Sequence, residues 1–506
     1  MPAVFDQGLP PPCPAPFNLA QYVLAAGAMT PDKIALAILT LSGVERWSYA
    51  RLTASVLGAA TGLLAQGARP GDRVLIRVGN TLAFPLTYLA ALAVDMIPVP
   101  TSAMLTEPEI NKIAARVVPA LIVAEDGIAL PDPVPCPVLP ASEIVDMAHL
   151  PPASYAMGAP DRPGYIIFTS GTSGTPHPVT HAHRAIWARR MMWDGWYGLT
   201  QDDRLLHAGA FNWTYTLGTG LLDPWTIGAT ALIPGEGVTP ADLPLLLKRH
   251  DATIFAAAPG VYRQMLKTPM QAMTKLRHGL AAGEKLPANL RNSWEQATGT
   301  PLHEAYGLTE CSTFVSGAPD RPAPAGAIGY PQTGRRVAVL ADGKPVAFDT
   351  PGTLAISSRD PGLMLGHWKT DIGGPDPVPG AWFVTGDTVS MARGGAITFL
   401  GRGDDMMNAG GLRVSPIEVE TALNAHPDVI ECAAVEVTVR ADVTVIGLFY
   451  VAARDLDADN LRRFANQQLA RYKCPRIYTR IEALPKGANG KIQRKALRNT
   501  DKAQTW

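Results

Sequence analysis

The chain has 506 residues and carries 44 Lys+Arg against 44 Asp+Glu, so its formal charge is zero. Proteins that grip a nucleic-acid backbone or an anionic membrane draw affinity from neutralising phosphates and are basic as a rule, so a neutral chain argues against both partners. At 47% hydrophobic and 17% charged, the composition is that of a folded enzyme or binding protein and excludes a disordered chain. The five cysteines, Cys13, Cys136, Cys311, Cys432 and Cys474, stand singly with no CxxC pair. That pattern fits a reducing compartment, and a cytoplasmic location is expected. The first twenty residues show no basic segment followed by an apolar one, so no signal peptide is expected.

Taken in chain order, RVLIRV at 73–78 reads as a strand, TLAFPLTYLAALA as the following helix, IPVP as the next strand, EPEINKIAARV as a helix and ALIVAE as a strand. Strand and helix alternating at this spacing predict parallel sheets with covering helices. The apolar run from Leu82 to Pro100 is long enough to raise a membrane span, but Asp95 and its prolines break it, and it reads as a buried helix and strand. TALIP at 230–234, LPLLLKRH at 243–250 and ATIFAAAP at 252–259 repeat the strand–helix logic. From Thr333 to Phe399 the segments are shorter and richer in turns, which predicts antiparallel strands. After a Gly-rich charged stretch at 401–405, a small α+β unit begins. The expectation is an α/β protein with a large N-terminal domain, residues 1–401, and a small mobile C-terminal domain, residues 402–506.

The sharpest local feature is YIIFTSGTSGT at 165–175, an apolar strand running into small and hydroxylated residues. Such a loop lets backbone N–H groups and hydroxyls converge on acceptor oxygens, typically phosphate. It lacks the lysine of GxxxxGK[ST] and is not a Walker loop; alone, it is equally a surface turn. Downstream stand HEAYGLTE at 303–310, WFVTGD at 382–387, FLGRGDDMMNAGGLRVSPIEVE at 399–420 and LPKGANGKIQRKALR at 484–498.

These five segments, in this order, resemble the signature segments of the acyl-adenylating family, which includes acyl- and aryl-CoA ligases, peptide-synthetase adenylation domains and luciferases. The resemblance spans essentially the whole chain. It implies an AMP-forming acid–CoA ligase using ATP, Mg²⁺ and coenzyme A, in which an acyl-AMP forms with loss of pyrophosphate and a thiol then displaces AMP. Residue by residue, it implies that Thr169, Ser170, Gly171, Thr172, Ser173, Gly174 and Thr175 hold the β- and γ-phosphates. Thr309 would touch the α-phosphate, and Glu310 would bind Mg²⁺, a cation that takes hard oxygen ligands. Adenine and ribose fall to Ala282, Gly283, Glu284, Glu304, Ala305, Tyr306, Asp387 and Arg402. Lys491 would bridge the substrate carboxylate and the α-phosphate in the transition state; Asp404 matches the hinge, and Gly411 and Arg413 the coenzyme A face.

The segments TYTLGT, VPVPTSAMLT and LAAGEKLP resemble benzoate-CoA and related aryl-CoA ligases, which places Trp213, Thr214, Tyr215 and Gly307 at the acid pocket. Aromatic walls suit a flat ring; the alternative for Trp213 and Tyr215 is an ordinary core position. The alternatives are a short- or medium-chain acyl-CoA synthetase, an enzyme loading a carrier protein, and a non-catalytic nucleotide-binding regulator. Candidate protein partners are a second copy of the chain and a lysine acetyltransferase acting on Lys491, whose charge acetylation would remove. His177 stands where the family usually has lysine. Together with His181 and His183 it raises a metal site, which no cysteine or carboxylate completes. Residues 471–502 contain ten Lys+Arg and two Asp+Glu, and apart from Lys491 these cations read as a solvated basic tail.

Overall fold

The computed structural model describes residues 1–170, 176–403, 405–409, 412–440, 443–486 and 492–500. Its centre is a nine-stranded sheet in the order 330–331, 312–316, 302–308, 278–282, 254–257, 204–208, 230–234, 34–39, 44–48. The strands from 302–308 to 34–39 run parallel, and antiparallel strands close both edges. Ile254–Ala257 and His278–Ala282 are buried at every position, as strands covered on both faces must be. A second, all-parallel sheet orders 97–100, 73–77, 121–124 and 138–140.

The helices follow from their sequences. Glu107–Val117 opens with a capping box, Thr106 N–H donating to Glu109 Oε2 at 2.8 Å. It buries Ile110, Ile113, Ala114 and Val117, one stripe at helical spacing. Ala83–Ala93 is apolar on every side, and all of its residues are buried. The Leu82–Pro100 run is therefore a core helix followed by the strand Ile97–Pro100. Among the described residues no helix is long and apolar enough to cross a membrane.

The sheet before the phosphate-loop candidate departs from the strand–helix pattern. Pro163–Ser170 pairs antiparallel with Pro176–Ala182, Thr169 opposite His177, in a four-stranded sheet with 366–369 and 374–377. The loop thus joins two strands of a hairpin, and no helix N-terminus follows it. The turn-rich stretch after residue 333 forms the expected antiparallel sheet, with 382–391 beside 397–402. Beyond it, residues from Met407 onward build a separate apolar core around Val419, Leu423, Ile446, Leu448 and Leu461.

Candidate active site

The parallel strands of the central sheet end at one edge, where open α/β sheets bind ligands. Because His278–Ala282 and Leu302–Leu308 lie side by side, with Ala281 opposite Glu304 and Ala282 opposite Ala305, the stretch 282–284 comes to lie beside 304–306. Gly283 has φ +97°, and a Cβ there would fall 2.5 Å from the Trp213 ring. Only glycine fits under that indole. Glu284 Oε1 accepts from Gly260 N–H at 3.1 Å. Burial raises its carboxyl above the usual range, against the pull of Arg263 and Lys486.

Tyr306 Oη donates to Asp387 Oδ2 at 2.5 Å, and Arg402 Nε stands 3.6 Å from Asp387 Oδ1. Asp387 and Arg402 face each other across paired strands, and Tyr306 reaches them from the central sheet through its hydroxyl. Burial first, and the Asp387 charge second, push the Tyr306 phenol well above its ordinary range. It therefore stays a donor and keeps one carboxylate oxygen in a fixed direction. Glu304 turns inward instead. Its 2%-exposed carboxylate accepts from Leu286 N–H at 3.0 Å and lies 3.3 Å from both Lys285 and Arg291. It pins the segment after Gly283 to the sheet.

Around the phosphate-loop candidate, Thr169 and the backbone of Ser170 end the strand, while Gly171, Thr172, Ser173, Gly174 and Thr175 lie outside the described residues. The turn after Leu308 is held at its main chain: His181 Nε2 donates to the Thr309 carbonyl at 2.7 Å, and Met364 N–H to the Glu310 carbonyl at 2.7 Å. Burial lowers the His181 pKa to about 4, so the ring is neutral. The three histidines part company: His183 accepts from Leu19 N–H at 3.0 Å and faces Asp95, and His177 lies 5.5 Å from the His367 ring. No cluster of three or more metal-ligating side chains occurs among the described residues. One carboxylate, Glu310, next to the turn that carries Thr309 fits Mg²⁺, a cation that keeps its waters and binds through one or two carboxylates and substrate phosphates.

Of the acid-pocket candidates, Thr214 lines a small cavity together with Thr309, Leu217, Gly218, Tyr88, Tyr165, Arg189 and Ser312. Gly307 must be glycine, since a Cβ would sit 2.2 Å from the Ser312 carbonyl oxygen. Trp213 is half-buried over Gly283, whereas Tyr215 is a core residue rather than a wall of this cavity. It is 6% exposed, packs on Trp196 and His207, and donates its hydroxyl to the Leu280 carbonyl at 3.0 Å.

Arg189 and Ser312 belong to a polar network that the sequence did not disclose. Arg189 Nη2 meets Asp223 Oδ2 at 2.6 Å, Tyr197 Oη donates to the same oxygen at 2.7 Å, and Arg189 also reaches Thr219 and Ser312. A Cβ on Gly218 would fall 2.3 Å from the guanidinium. The π-helical turn Thr216–Leu222 therefore depends on glycine at that contact.

In the C-terminal region Asp404, Gly411 and Lys491 lie outside the described residues, and of Arg413 only the pairing with Asn408 is described. The cations after Lys491 are not the free tail expected. Arg494 makes two 2.8 Å hydrogen bonds to the Glu420 carboxylate and lies 3.5 Å from Asp405; Arg498 is 3.3 Å from Asp405. They clamp the final helix onto Pro416–Leu423 and onto the residue after Asp404.

Comparison with known proteins shows the family. The AMP-binding enzyme family model matches residues 24–368, and the AMP-binding enzyme C-terminal domain model matches 418–491. Benzoate–CoA ligase of Thauera aromatica is 29% identical, over 94% of this chain and 92% of that protein. 3-Hydroxybenzoate–CoA ligase of Aromatoleum sp. (strain CIB) is 28% identical, over 92% and 93%. The crystal structure of a benzoate CoA ligase from Burkholderia xenovorans LB400 superposes with a TM-score of 0.84 at 26% identity, covering 95% of this chain and all of that one. The chain belongs to the AMP-binding enzyme family, as an AMP-forming acid–thiol ligase.

Proposed function

We propose that the chain joins an aromatic, benzoate-like carboxylic acid to coenzyme A, consuming ATP with Mg²⁺, and that residues 1–401 and 402–506 are its two working domains. The observation that carries the reading is the meeting of Tyr306, Asp387 and Arg402, with the 282–284 stretch beside 304–306 and with Thr309 and Thr214 lining one cavity.

In the first half-reaction a carboxylate oxygen attacks the α-phosphorus of ATP and the bond to pyrophosphate breaks. Asp387 accepts from the ribose hydroxyls, with Arg402 beside it, and adenine lies between the Tyr306 ring and Ala282–Glu284, whose position Glu304 and Ala305 fix. Thr169–Thr175 bind the β- and γ-phosphates by hydrogen bonds, and Thr309 binds the α-phosphate. Glu310 would hold Mg²⁺, which neutralises phosphate charge when bound. Lys491 brings its cation to the carboxylate and α-phosphate, where two anions must meet.

In the second half-reaction the thiolate of coenzyme A attacks the acyl carbon and AMP leaves. Rotation at Asp404 replaces Lys491 by the face bearing Gly411 and Arg413. Trp213, Thr214 and Gly307 bound the acid, with Tyr215 backing them from the core. Acetylation of Lys491 would silence the first half-reaction alone. The five cysteines, all free, support a cytoplasmic site of action.

The test is acid-dependent exchange of pyrophosphate into ATP across benzoate, hydroxy- and aminobenzoates, heteroaromatic acids and C3–C10 fatty acids. Aromatic acids should give the highest kcat/KM. A fatty acid exceeding all of them would replace the aromatic reading with an acyl-CoA synthetase.

A further inference from the structure

One carboxylate joins the two regions beside the adenine stretch. Glu431 opens the strand Glu431–Arg440 of the C-terminal region. Its Oε2 accepts from Lys486 Nζ at 2.7 Å and lies 3.7 Å from Arg263 Nη1, on the helix Pro259–Met265 of the N-terminal region. The first turn of that same helix supplies the Gly260 N–H that Glu284 accepts. Lys486 also bridges to Ile492 in antiparallel fashion, so the segment that holds Lys491 starts at the residue Glu431 anchors and returns beside it at Ile492. A continuous line of contacts thus runs from the adenine stretch, through Arg263 and Glu431, to the base of the Lys491 segment.

We propose that Arg263 and Glu431 are positioning residues for adenylation. Their pair holds the C-terminal region in the orientation that presents Lys491 to the nucleotide, and it parts before the thioester step. The side chains of Arg263, Glu431 and Lys486 are 33%, 20% and 32% exposed. Ion pairs that water reaches are weak and cheaply broken, as a contact remade in every cycle must be. Lys486 and Glu431 belong to the same region and stay together when Arg263 leaves. The proposal rests on the adenylating role assigned to Lys491 above.

The experiment measures both half-reactions in Arg263→Ala, Arg263→Lys and Glu431→Gln, together with hydrogen exchange of the substrate-free proteins. Arg263→Ala and Glu431→Gln should lower kcat of pyrophosphate exchange about fivefold, the size of a pair worth about 1 kcal/mol, with KM for ATP little changed. Thioester formation from supplied aroyl-AMP should be unaffected, and Arg263→Lys should recover most of the loss. Amides of 259–265 should exchange faster in Glu431→Gln. Equal slowing of both half-reactions, or a rise in KM for ATP alone, would overturn the assignment. If the unmodified chain exchanged pyrophosphate with no aromatic acid, the functional reading would fail by itself. Unchanged protection of 259–265 in Glu431→Gln would then overturn the positioning role independently.

Discussion

The candidate acid cavity and the contact between the two regions both rely on arginine–carboxylate pairs, built to opposite specifications. Arg189 and Asp223 have side chains 8% and 1% exposed and share hydrogen bonds with Tyr197, Thr219 and Ser312. Arg263 and Glu431 are several-fold more exposed and meet at 3.7 Å. A buried pair with every donor directed holds one geometry, because breaking it strands a charge in a medium that cannot solvate it. A pair that water reaches can open at little cost. The difference matches the division of labour proposed above, in which the N-terminal region presents a fixed site for acid and nucleotide while the C-terminal region approaches and withdraws.

Substitutions on either side should separate these two designs. The largest effect is expected for Asp223→Ala, which leaves Arg189 buried without its partner and should cost about 3–5 kcal/mol of stability in denaturant unfolding. The double variant Arg189→Met, Asp223→Leu should recover much of it, and a double variant as unstable as the single one would deny that the charge is the cause. Next comes Lys491→Ala, expected to lower adenylation about 10²–10³-fold while thioester formation from supplied aroyl-AMP persists; comparable loss in both half-reactions would remove Lys491 from its role. Asp387→Ala should raise KM for ATP roughly 10–100-fold through lost charge-assisted hydrogen bonds, with little change in KM for the acid. Tyr306→Phe should raise KM for ATP only about fivefold, equivalent to about 1 kcal/mol, because its effect is indirect and Asp387 keeps its strand position opposite Arg402.

Those contrasts also explain which features could be read from the chain. Strands such as Arg73–Arg77 and Thr230–Pro234 were legible because apolar, β-branched runs bounded by turns leave few other conformations. The hairpin around the phosphate loop was not, since a strand followed by a glycine-rich loop reads alike whether a helix or a second strand comes next. Arg189 and Asp223 are 34 residues apart, and no local pattern links them. Arg494 read as a free cation because composition records charge but not the burial of its partner, Glu420. For Tyr215 and Glu304 the motif placed the residue correctly along the chain but not the direction of its side chain. The Tyr215 hydroxyl and the Glu304 carboxylate go to Leu280 and Leu286, inside the protein.

The most direct measurement is the yield of products when the purified chain turns over with benzoate or a hydroxybenzoate, ATP, Mg²⁺ and coenzyme A. The account predicts AMP, pyrophosphate and aroyl-CoA in equal amounts, with no AMP released when the acid is omitted. Release of ADP, or of AMP without thioester across the whole set of aromatic acids, would contradict it.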